Sequence, residues 1–176
     1  MIKESDLKML FEADRIQNSI KKLAEKLNSE YKEEEVYLIC VLKGSVMFMT
    51  DLAKYLKMPL RMEFIRLSSY GSGFNSTGRV NAVDISLPDL NGKNVLIIED
   101  IIDTGHTAKF LIDFINHNFR VNTLKFCSLL DKKIKREVDI DADFYCFEVD
   151  DKFLVGYGLD YDGFYRNLPY IGYVEV

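Results

Sequence analysis

Three acidic side chains stand close together in a stretch of the sequence that carries no lysine or arginine. Glu99, Asp100 and Asp103 lie among the fifteen residues between Lys93 and Lys109. Burying such carboxylates without a nearby cation is costly unless a ligand compensates them. A divalent metal ion, or a polyhydroxylated compound that donates hydrogen bonds, would do so. The sequence therefore predicts a ligand site here.

The residues that follow this acidic stretch could bind a phosphate group. Asp103, Thr104, Gly105, His106 and Thr107 lead into a predicted helix. Backbone N–H groups at a helix N-terminus, together with threonine hydroxyls, suit a phosphate monoester. The carboxylates could bind hydroxyl groups and a metal ion, and the adjacent N–H groups could bind a phosphate. Together they predict a site for a phosphorylated sugar. The alternative is that a threonine only caps the helix and that the acidic pair is an exposed strand end.

A buried strand and a helix must position these residues. The apolar run 95–98 is typical of a short buried strand that ends just before the acidic pair, and residues 107–116 have helical apolar spacing. Further predicted strands cover residues 36–42, 60–67, 80–87, 123–130, 144–149, 153–157 and 171–174, and further helices cover residues 14–31 and 46–56. Residues 68–78 are polar and rich in glycine, which predicts a loop. This order predicts an α/β fold with a mostly parallel, doubly wound sheet, where ligands bind at the carboxyl ends of strands.

Composition predicts one soluble domain. The chain has 176 residues, of which 48% are hydrophobic and 29% charged, and its net charge of −5 argues against broad binding to nucleic acid or anionic membranes. The longest apolar run is far shorter than the ~20 residues that span a bilayer, and the acidic N-terminal segment predicts no secretory signal. Cys40, Cys127 and Cys146 form no CxxC pair, which predicts free thiols and a cytoplasmic location.

The stretch VLIIEDIIDTGHT resembles the phosphoribosyl pyrophosphate motif of type I phosphoribosyltransferases. Four further segments, in family order, are similar to the 6-oxopurine branch, the hypoxanthine-guanine phosphoribosyltransferases. They are VLKGS (41–45), SSYGS (68–72), LLDKK (129–133) and DKFLVGYGLDYDGFYRNLPYIG (151–172). The resemblance implies one domain over residues 1–176, with a twisted, mostly parallel sheet flanked by helices. Its core would span about residues 36–130, and a small base-binding hood would come mainly from about residues 131–176.

The resemblance also implies an activity. It is transfer of the 5-phosphoribosyl group from phosphoribosyl pyrophosphate to N9 of hypoxanthine or guanine, giving IMP or GMP and pyrophosphate, as in purine salvage. The implied cofactor is Mg²⁺, the implied partners are these small molecules, and the implied assembly is a homodimer or homotetramer. By the resemblance, Lys132 would donate a hydrogen bond to O6 of the purine. This argues against adenine as the substrate, because an ammonium group can only donate and adenine carries an amino donor in place of O6. A preference for xanthine, or a non-catalytic nucleotide-binding regulator on this fold, remains an alternative.

Individual residue roles follow from the same resemblance. Asp103 would be the acid/base group near purine N7. The phosphoribosyl group would contact Glu99, Asp100, Thr104, Gly105, His106 and Thr107, where His106 acts through its backbone. Pyrophosphate would meet Lys43, Gly44 and Arg166, beside a non-proline cis peptide bond after Leu42. The purine would contact Lys132, Phe153 and Leu154. Ser69 and Tyr70 would belong to a mobile lid over the site. The metal ion would be bound by Glu99, Asp100 and Asp160.

Overall fold

A computed structural model describes residues 4–69 and 80–174 of the protein. Nine strands alternate with three α-helices in this part of the chain. The strands are β1 (Lys8–Phe11), β2 (Val36–Leu42), β3 (Leu60–Ser69), β4 (Val80–Asp84), β5 (Asn94–Ile102), β6 (Thr123–Asp131), β7 (Phe144–Glu148), β8 (Phe153–Val155) and β9 (Ile171–Val174). The helices are α1 (Ala13–Tyr31), α2 (Val46–Ala53) and α3 (His106–Asn118). None of the helices in the described ranges is long and apolar enough to cross a membrane.

The main sheet has six strands in the order β4-β3-β2-β5-β6-β7. The five strands from β3 to β7 in this order run parallel, and only β4 pairs antiparallel, with β3. After β2 the chain continues to β3, which lies beside β2 on one side, and later returns to β5, which lies beside β2 on the other side. A crevice therefore opens beyond the carboxyl ends of β2 and β5, where ligands bind in open α/β sheets. The predicted α/β class and mostly parallel sheet are confirmed.

Helices cover both faces of this sheet. Alternate side chains of a strand point to opposite faces, so the central strands contribute to two separate cores. Leu38 and Leu96 pack with α1 and α2 on one face. Ile39 and Ile97 pack with α3 on the other face. Burial on both sides explains why β2 is apolar at every position.

A second, antiparallel sheet has the order β1-β9-β8. Its central strand β9 pairs with β8, and on its other edge with β1 from the opposite end of the chain. Strand β1 was not predicted from the sequence, and the predicted hood came mainly from C-terminal residues. The small sheet thus joins both ends of the chain.

Several predicted boundaries differ from the structure. The strand predicted over residues 95–98 extends to Ile102, and the helix predicted to residue 56 ends at Ala53. The strands predicted over residues 80–87 and 153–157 end early, at Asp84 and Val155. The loop predicted over residues 68–78 starts later, because β3 continues to Ser69; residues 70–79 lie outside the described ranges.

Candidate active site

The candidate site lies where the loops after β2 and β5 diverge. Lys43 and Gly44 follow β2 directly, and the peptide bond between Leu42 and Lys43 is cis, as the resemblance implied. The acidic stretch occupies the end of β5, which pairs with β2 in parallel register. The two predicted phosphate-binding segments therefore meet at the crevice of the sheet.

Glu99 and Asp100 lie inside β5 and not after it, which corrects the predicted strand boundary. The strand continues because its backbone keeps pairing with β6, with Glu99 opposite Ser128 and Ile101 opposite Leu130. Two adjacent strand residues point to opposite faces. Glu99 accordingly lines a small cavity with Asp103 and the start of α3, whereas Asp100 faces the loop after β2.

Both carboxyl groups are poorly compensated by the protein. Burial raises the pKa of Glu99 well above its usual range, the charge of Asp100 raises it further, and the Oε2 atom of Glu99 has no hydrogen-bond partner. Burial also raises the pKa of Asp100 to about 6, although a hydrogen bond from the N–H of Ile101 and the charge of Arg166 oppose this shift. Desolvated carboxyl groups of this kind are stabilised by hydroxyl donors or by a cation.

Glycines allow three segments to meet behind Asp100. A Cβ atom at Gly44 would lie 1.5 Å from the Oδ2 atom of Asp100, and one at Gly158 would lie 2.0 Å from the carbonyl oxygen of Gly44. Gly158 also has a φ of +101°, which L-residues rarely adopt. The backbone of the loop after β2 therefore touches the side chain of Asp100 on the acidic strand and the backbone of the loop after β8. Gly158 was not among the predicted site residues.

Gly105 shapes the predicted phosphate cradle. It is the N-cap residue of α3 with a φ of +90°, so neither Thr104 nor Thr107 holds the capping position that the alternative interpretation required. The first backbone N–H groups of α3 have no partner within the helix and are available to an anion. The side chain of His106 is paired with Glu137 (Nε2 to Oε2, 2.8 Å). The imidazole of His106 is thus already engaged with another side chain of the protein.

Asp103 and Lys132 lie side by side. The Nζ atom of Lys132 is 3.6 Å from the Oδ2 atom of Asp103 and 3.9 Å from the Oδ1 atom of Asp151. It donates a hydrogen bond of 3.0 Å to the carbonyl oxygen of Lys152, and its side chain is only 7% exposed. The Oδ1 atom of Asp103 has no partner. A buried ammonium group thus lies next to a carboxylate that has one oxygen without a partner.

The other predicted purine-binding residues begin β8. Phe153 is partly exposed and makes an edge-to-face contact with Tyr161, with ring centroids 5.6 Å apart. The side chain of Leu154 is buried in the core, and β8 is an edge strand of the small sheet. The carbonyl group that anchors Lys132 belongs to the residue just before Phe153.

Asp160 and Arg166 form an ion pair. The Nη2 atom of Arg166 is 2.5 Å from the Oδ1 atom of Asp160, and its Nη1 atom donates to the carbonyl oxygen of Gly158 at 2.6 Å. The N–H of Gly163 donates to the Oδ2 atom of Asp160. The structure therefore connects both predicted pyrophosphate-side residues to Gly158, which touches the loop after β2.

The acidic residues suit a metal that arrives with a substrate. Within residues 4–69 and 80–174, no three His, Cys, Asp or Glu side chains are arranged to hold a metal ion. Mg²⁺ in proteins commonly takes one or two carboxylates and completes its shell with water and substrate phosphates. The unpartnered oxygen of Glu99 and the raised pKa values of Glu99 and Asp100 fit this mode.

The predicted lid is largely outside the described residues. Ser69 is the last described residue of β3, and Tyr70 lies beyond it.

A larger cavity elsewhere contains none of the predicted site residues. It lies beside β1 and the start of α1, and several of its charged side chains have partners. Lys133 pairs there with Glu148 (3.1 Å), and Arg15 lies over the ring of Phe11 at 4.8 Å. By contrast, the unsatisfied oxygens of Glu99 and Asp103 lie at the end of β5. Ligand chemistry therefore favours the β5 site.

Arg136 and Asp131 were not among the predicted site residues. They lie between the strands predicted over residues 123–130 and 144–149, yet Asp131 is fully buried and its carboxylate pairs with Arg136. Their one visible signal is an acid at the end of an apolar strand, followed by basic residues.

Comparisons with known proteins agree with this geometry. The family described as "Phosphoribosyl transferase domain" matches residues 6–162. The chain is 40% identical over 175 residues to a hypoxanthine-guanine phosphoribosyltransferase of Streptococcus thermophilus, covering 99% of this chain and 97% of that one. It is 43% identical, with the same coverage, to one of Bacillus subtilis. A crystal structure of a hypoxanthine phosphoribosyltransferase from Staphylococcus aureus is similar with a TM-score of 0.91 and 41% identity, over 97% of this chain and 93% of that one.

Proposed function

Because the chain belongs to the hypoxanthine-guanine phosphoribosyltransferase family, we propose that it transfers a phosphoribosyl group to a 6-oxopurine. N9 of hypoxanthine or guanine would attack C1 of phosphoribosyl pyrophosphate and displace pyrophosphate, giving IMP or GMP. The observation that carries the proposal is the position of Lys132, a buried hydrogen-bond donor 3.6 Å from Asp103 at the end of the acidic strand. This arrangement would put the side chain that recognises the purine beside the group that carries the proton.

The phosphoribosyl group would bind along β5 and the start of α3. Glu99 and Asp100 would accept hydrogen bonds from the ribose hydroxyls, which would satisfy carboxyl groups that the protein leaves poorly compensated. Thr104 to Thr107 would bind the 5′-phosphate through backbone N–H groups at the positive end of α3. The contact of Gly44 with Asp100 supports a common binding surface for the sugar and the pyrophosphate.

Pyrophosphate would bind between the loop after β2 and the loop after β8. Lys43 and Gly44 would contact it through main-chain groups, and Arg166 would contribute its guanidinium. Glu99 and Asp100 would hold one Mg²⁺ with the substrate, and Asp160 would ligate a second Mg²⁺ together with pyrophosphate. These ions would neutralise charge that grows on the leaving group. The main-chain groups and Arg166 would stabilise the same charge.

The purine would lie between β8 and the end of β6. Phe153 would stack on its ring, the backbone of Leu154 would meet its edge, and Lys132 would donate a hydrogen bond to O6. The unpartnered Oδ1 atom of Asp103 would hold or release the proton at N7 as N9 forms its bond. The base-binding hood of residues 131–176 is part of this proposal.

Water must be kept from the reacting sugar. The transition state for loss of pyrophosphate resembles an oxocarbenium ion, which water would destroy. Ser69 and Tyr70 would belong to a lid that closes over it.

The setting of the enzyme is a separate part of the proposal. We propose a homodimer or homotetramer in the cytoplasm, with no nucleic-acid or membrane partner. Exposed Met47, Met62 and Phe64 on α2 and β3 support a protein contact surface, and three free cysteines suit a reducing compartment.

Pyrophosphate release tests the proposed function. Purified protein is incubated with phosphoribosyl pyrophosphate and Mg²⁺, with and without hypoxanthine, guanine or xanthine. We expect release that depends on hypoxanthine or guanine. Nucleotide binding without release would instead identify a regulator, and release with xanthine alone would identify a different base preference.

A further inference from the structure

The segment after β6 holds three successive carbonyl groups of the loop that carries Asp103. The N–H of Lys132 donates to the carbonyl oxygen of Ile102 at 2.9 Å, and the N–H of Glu137 donates to that of Thr104 at 2.9 Å. Any residue except proline could supply these two backbone donors. The middle carbonyl, that of Asp103, instead receives a hydrogen bond of 3.2 Å from the Nε atom of Arg136. Only this contact depends on a particular side chain.

Arg136 is itself held in a fixed position. Its Nη2 atom binds the carboxylate of Asp131, and its Nη1 atom donates to the carbonyl oxygen of Ile140. Asp131 is fully buried at the end of β6, and the side chain of Arg136 is only 12% exposed. All three of its nitrogen positions are therefore engaged. A planar guanidinium with several anchors has little freedom to move.

Arg136 also packs against the turn that opens α3. A Cβ atom at Gly105 would lie 2.9 Å from the Cδ atom of Arg136 and 2.7 Å from a methyl carbon of Val138. The aliphatic part of Arg136 thus supports the backbone at Gly105, two residues after Asp103. The same side chain contacts the loop on both sides of Thr104.

We propose that Arg136, anchored by Asp131, is a positioning residue for Asp103. It touches no proposed substrate position and acts by fixing the backbone from which the Asp103 carboxylate projects. This inference rests on the proposed function, in which Asp103 carries the proton at N7. Lys132 and Arg136 belong to one segment. Their spacing along it would therefore also fix the position of Lys132, which recognises the purine, relative to Asp103, which carries the proton.

Arg136→Lys tests this role with little other change. Lysine keeps the positive charge for Asp131 and the methylene groups that pack on Gly105, but it has a carbon atom where arginine has Nε. We expect kcat with hypoxanthine to fall about 10²-fold, as for a misplaced catalytic group, with KM little changed. Arg120→Lys is the matched control, because Arg120 is exposed and bonds only nearby loop and helix atoms. The control should keep the parent kcat.

A double-mutant cycle separates positioning from a general loss of structure. Arg136→Lys is also made in the Asp103→Asn background and assayed with enzyme in excess. If Arg136 acts through Asp103, it should cause no further loss there. An equal loss in both backgrounds, or parent kcat in the single variant, would overturn the proposal. A parent protein without any hypoxanthine-dependent turnover would instead refute the proposed function.

Asp131→Asn provides a second variant should Arg136→Lys fold poorly. It keeps an acceptor oxygen for Arg136, removes the charge that anchors it and puts an NH₂ group in place of one carboxylate oxygen. We expect a smaller fall in kcat, again confined to the background that retains Asp103. Thermal unfolding of each variant shows whether the protein is folded at the assay temperature. A loss of kcat independent of Asp103 would contradict the proposed role.

Discussion

Gly158→Ala should lower the activity of the enzyme by separating two loops that touch through their backbones. The added Cβ would lie 2.0 Å from the carbonyl oxygen of Gly44, a backbone atom that no side-chain rotation can move. Real Cβ contacts essentially never fall below 3.0 Å, so the loop after β8 must move away by about 1 Å. This loop carries Asp160 and Arg166, and a misplacement of about 1 Å can cost about 10²-fold in rate.

A second glycine separates this clash from ordinary backbone strain. Gly92 has a φ of +71°, and a Cβ there would meet nothing within 4 Å. Both substitutions share the conformational cost of an L-residue at positive φ, about 1–3 kcal/mol. Gly92→Ala should therefore lower the unfolding temperature and leave kcat/KM unchanged, whereas Gly158→Ala should lower both.

Steady-state kinetics and thermal unfolding measure the two effects. We expect kcat/KM for phosphoribosyl pyrophosphate to fall about 10²-fold in Gly158→Ala at a temperature where the variant is folded. If Gly158→Ala keeps the parent kcat/KM, or loses no more than Gly92→Ala, the contact with Gly44 does not position the pyrophosphate site.

Three further predictions concern the proposed chemistry. Asp103→Asn should lower kcat about 10²–10⁴-fold, the usual contribution of a general acid/base group, with little change in unfolding temperature; parent turnover would remove Asp103 from the mechanism. Lys132→Met should sharply reduce kcat/KM with hypoxanthine and narrow its advantage over adenine, because the donor to O6 is lost; an unchanged preference would mean that the base is read elsewhere. Excess EDTA should abolish turnover and leave the unfolding curve unchanged, since the described residues hold no structural metal cluster; full activity in EDTA would exclude the proposed Mg²⁺ requirement.

Local patterns predicted the parallel core well. Continuous apolar runs such as Val36–Leu42 are specified by burial on both faces of the sheet, so the sequence itself shows them. The acidic stretch was visible for a similar reason, because carboxylates without local cations stand out beside an apolar strand. The cis peptide bond before Lys43 followed only from the resemblance.

Features that depend on distant residues were not predictable in this way. Strand β1 is only four residues long and exists because it pairs with β9, at least 160 positions away. Helix α2 ends early where Asn28 of α1 bonds the carbonyl of Tyr55 and the N–H of Lys57. These contacts satisfy backbone groups from another element, and no pattern within residues 46–56 encodes them.

The predicted site residues were incomplete for the same physical reason. Lys132 and Asp103 come from different segments, and their 3.6 Å separation is a tertiary contact. Gly158 and Arg136 were missed because one matters through a carbonyl of Gly44 and the other through a carbonyl of Asp103. Contacts with backbone atoms place few constraints on the type of the contacted residue, so the sequence alone does not indicate them.

A competition between two bases tests the central claim most directly. The protein is given equal concentrations of hypoxanthine and adenine with limiting phosphoribosyl pyrophosphate and Mg²⁺, and the products are separated by chromatography. A buried donor such as Lys132 should reject the mismatched base by about 10⁴–10⁵-fold, so IMP should be the only nucleotide detected. Appreciable AMP, or ribose 5-phosphate without any nucleotide, would contradict the proposal that this site joins a 6-oxopurine to the sugar.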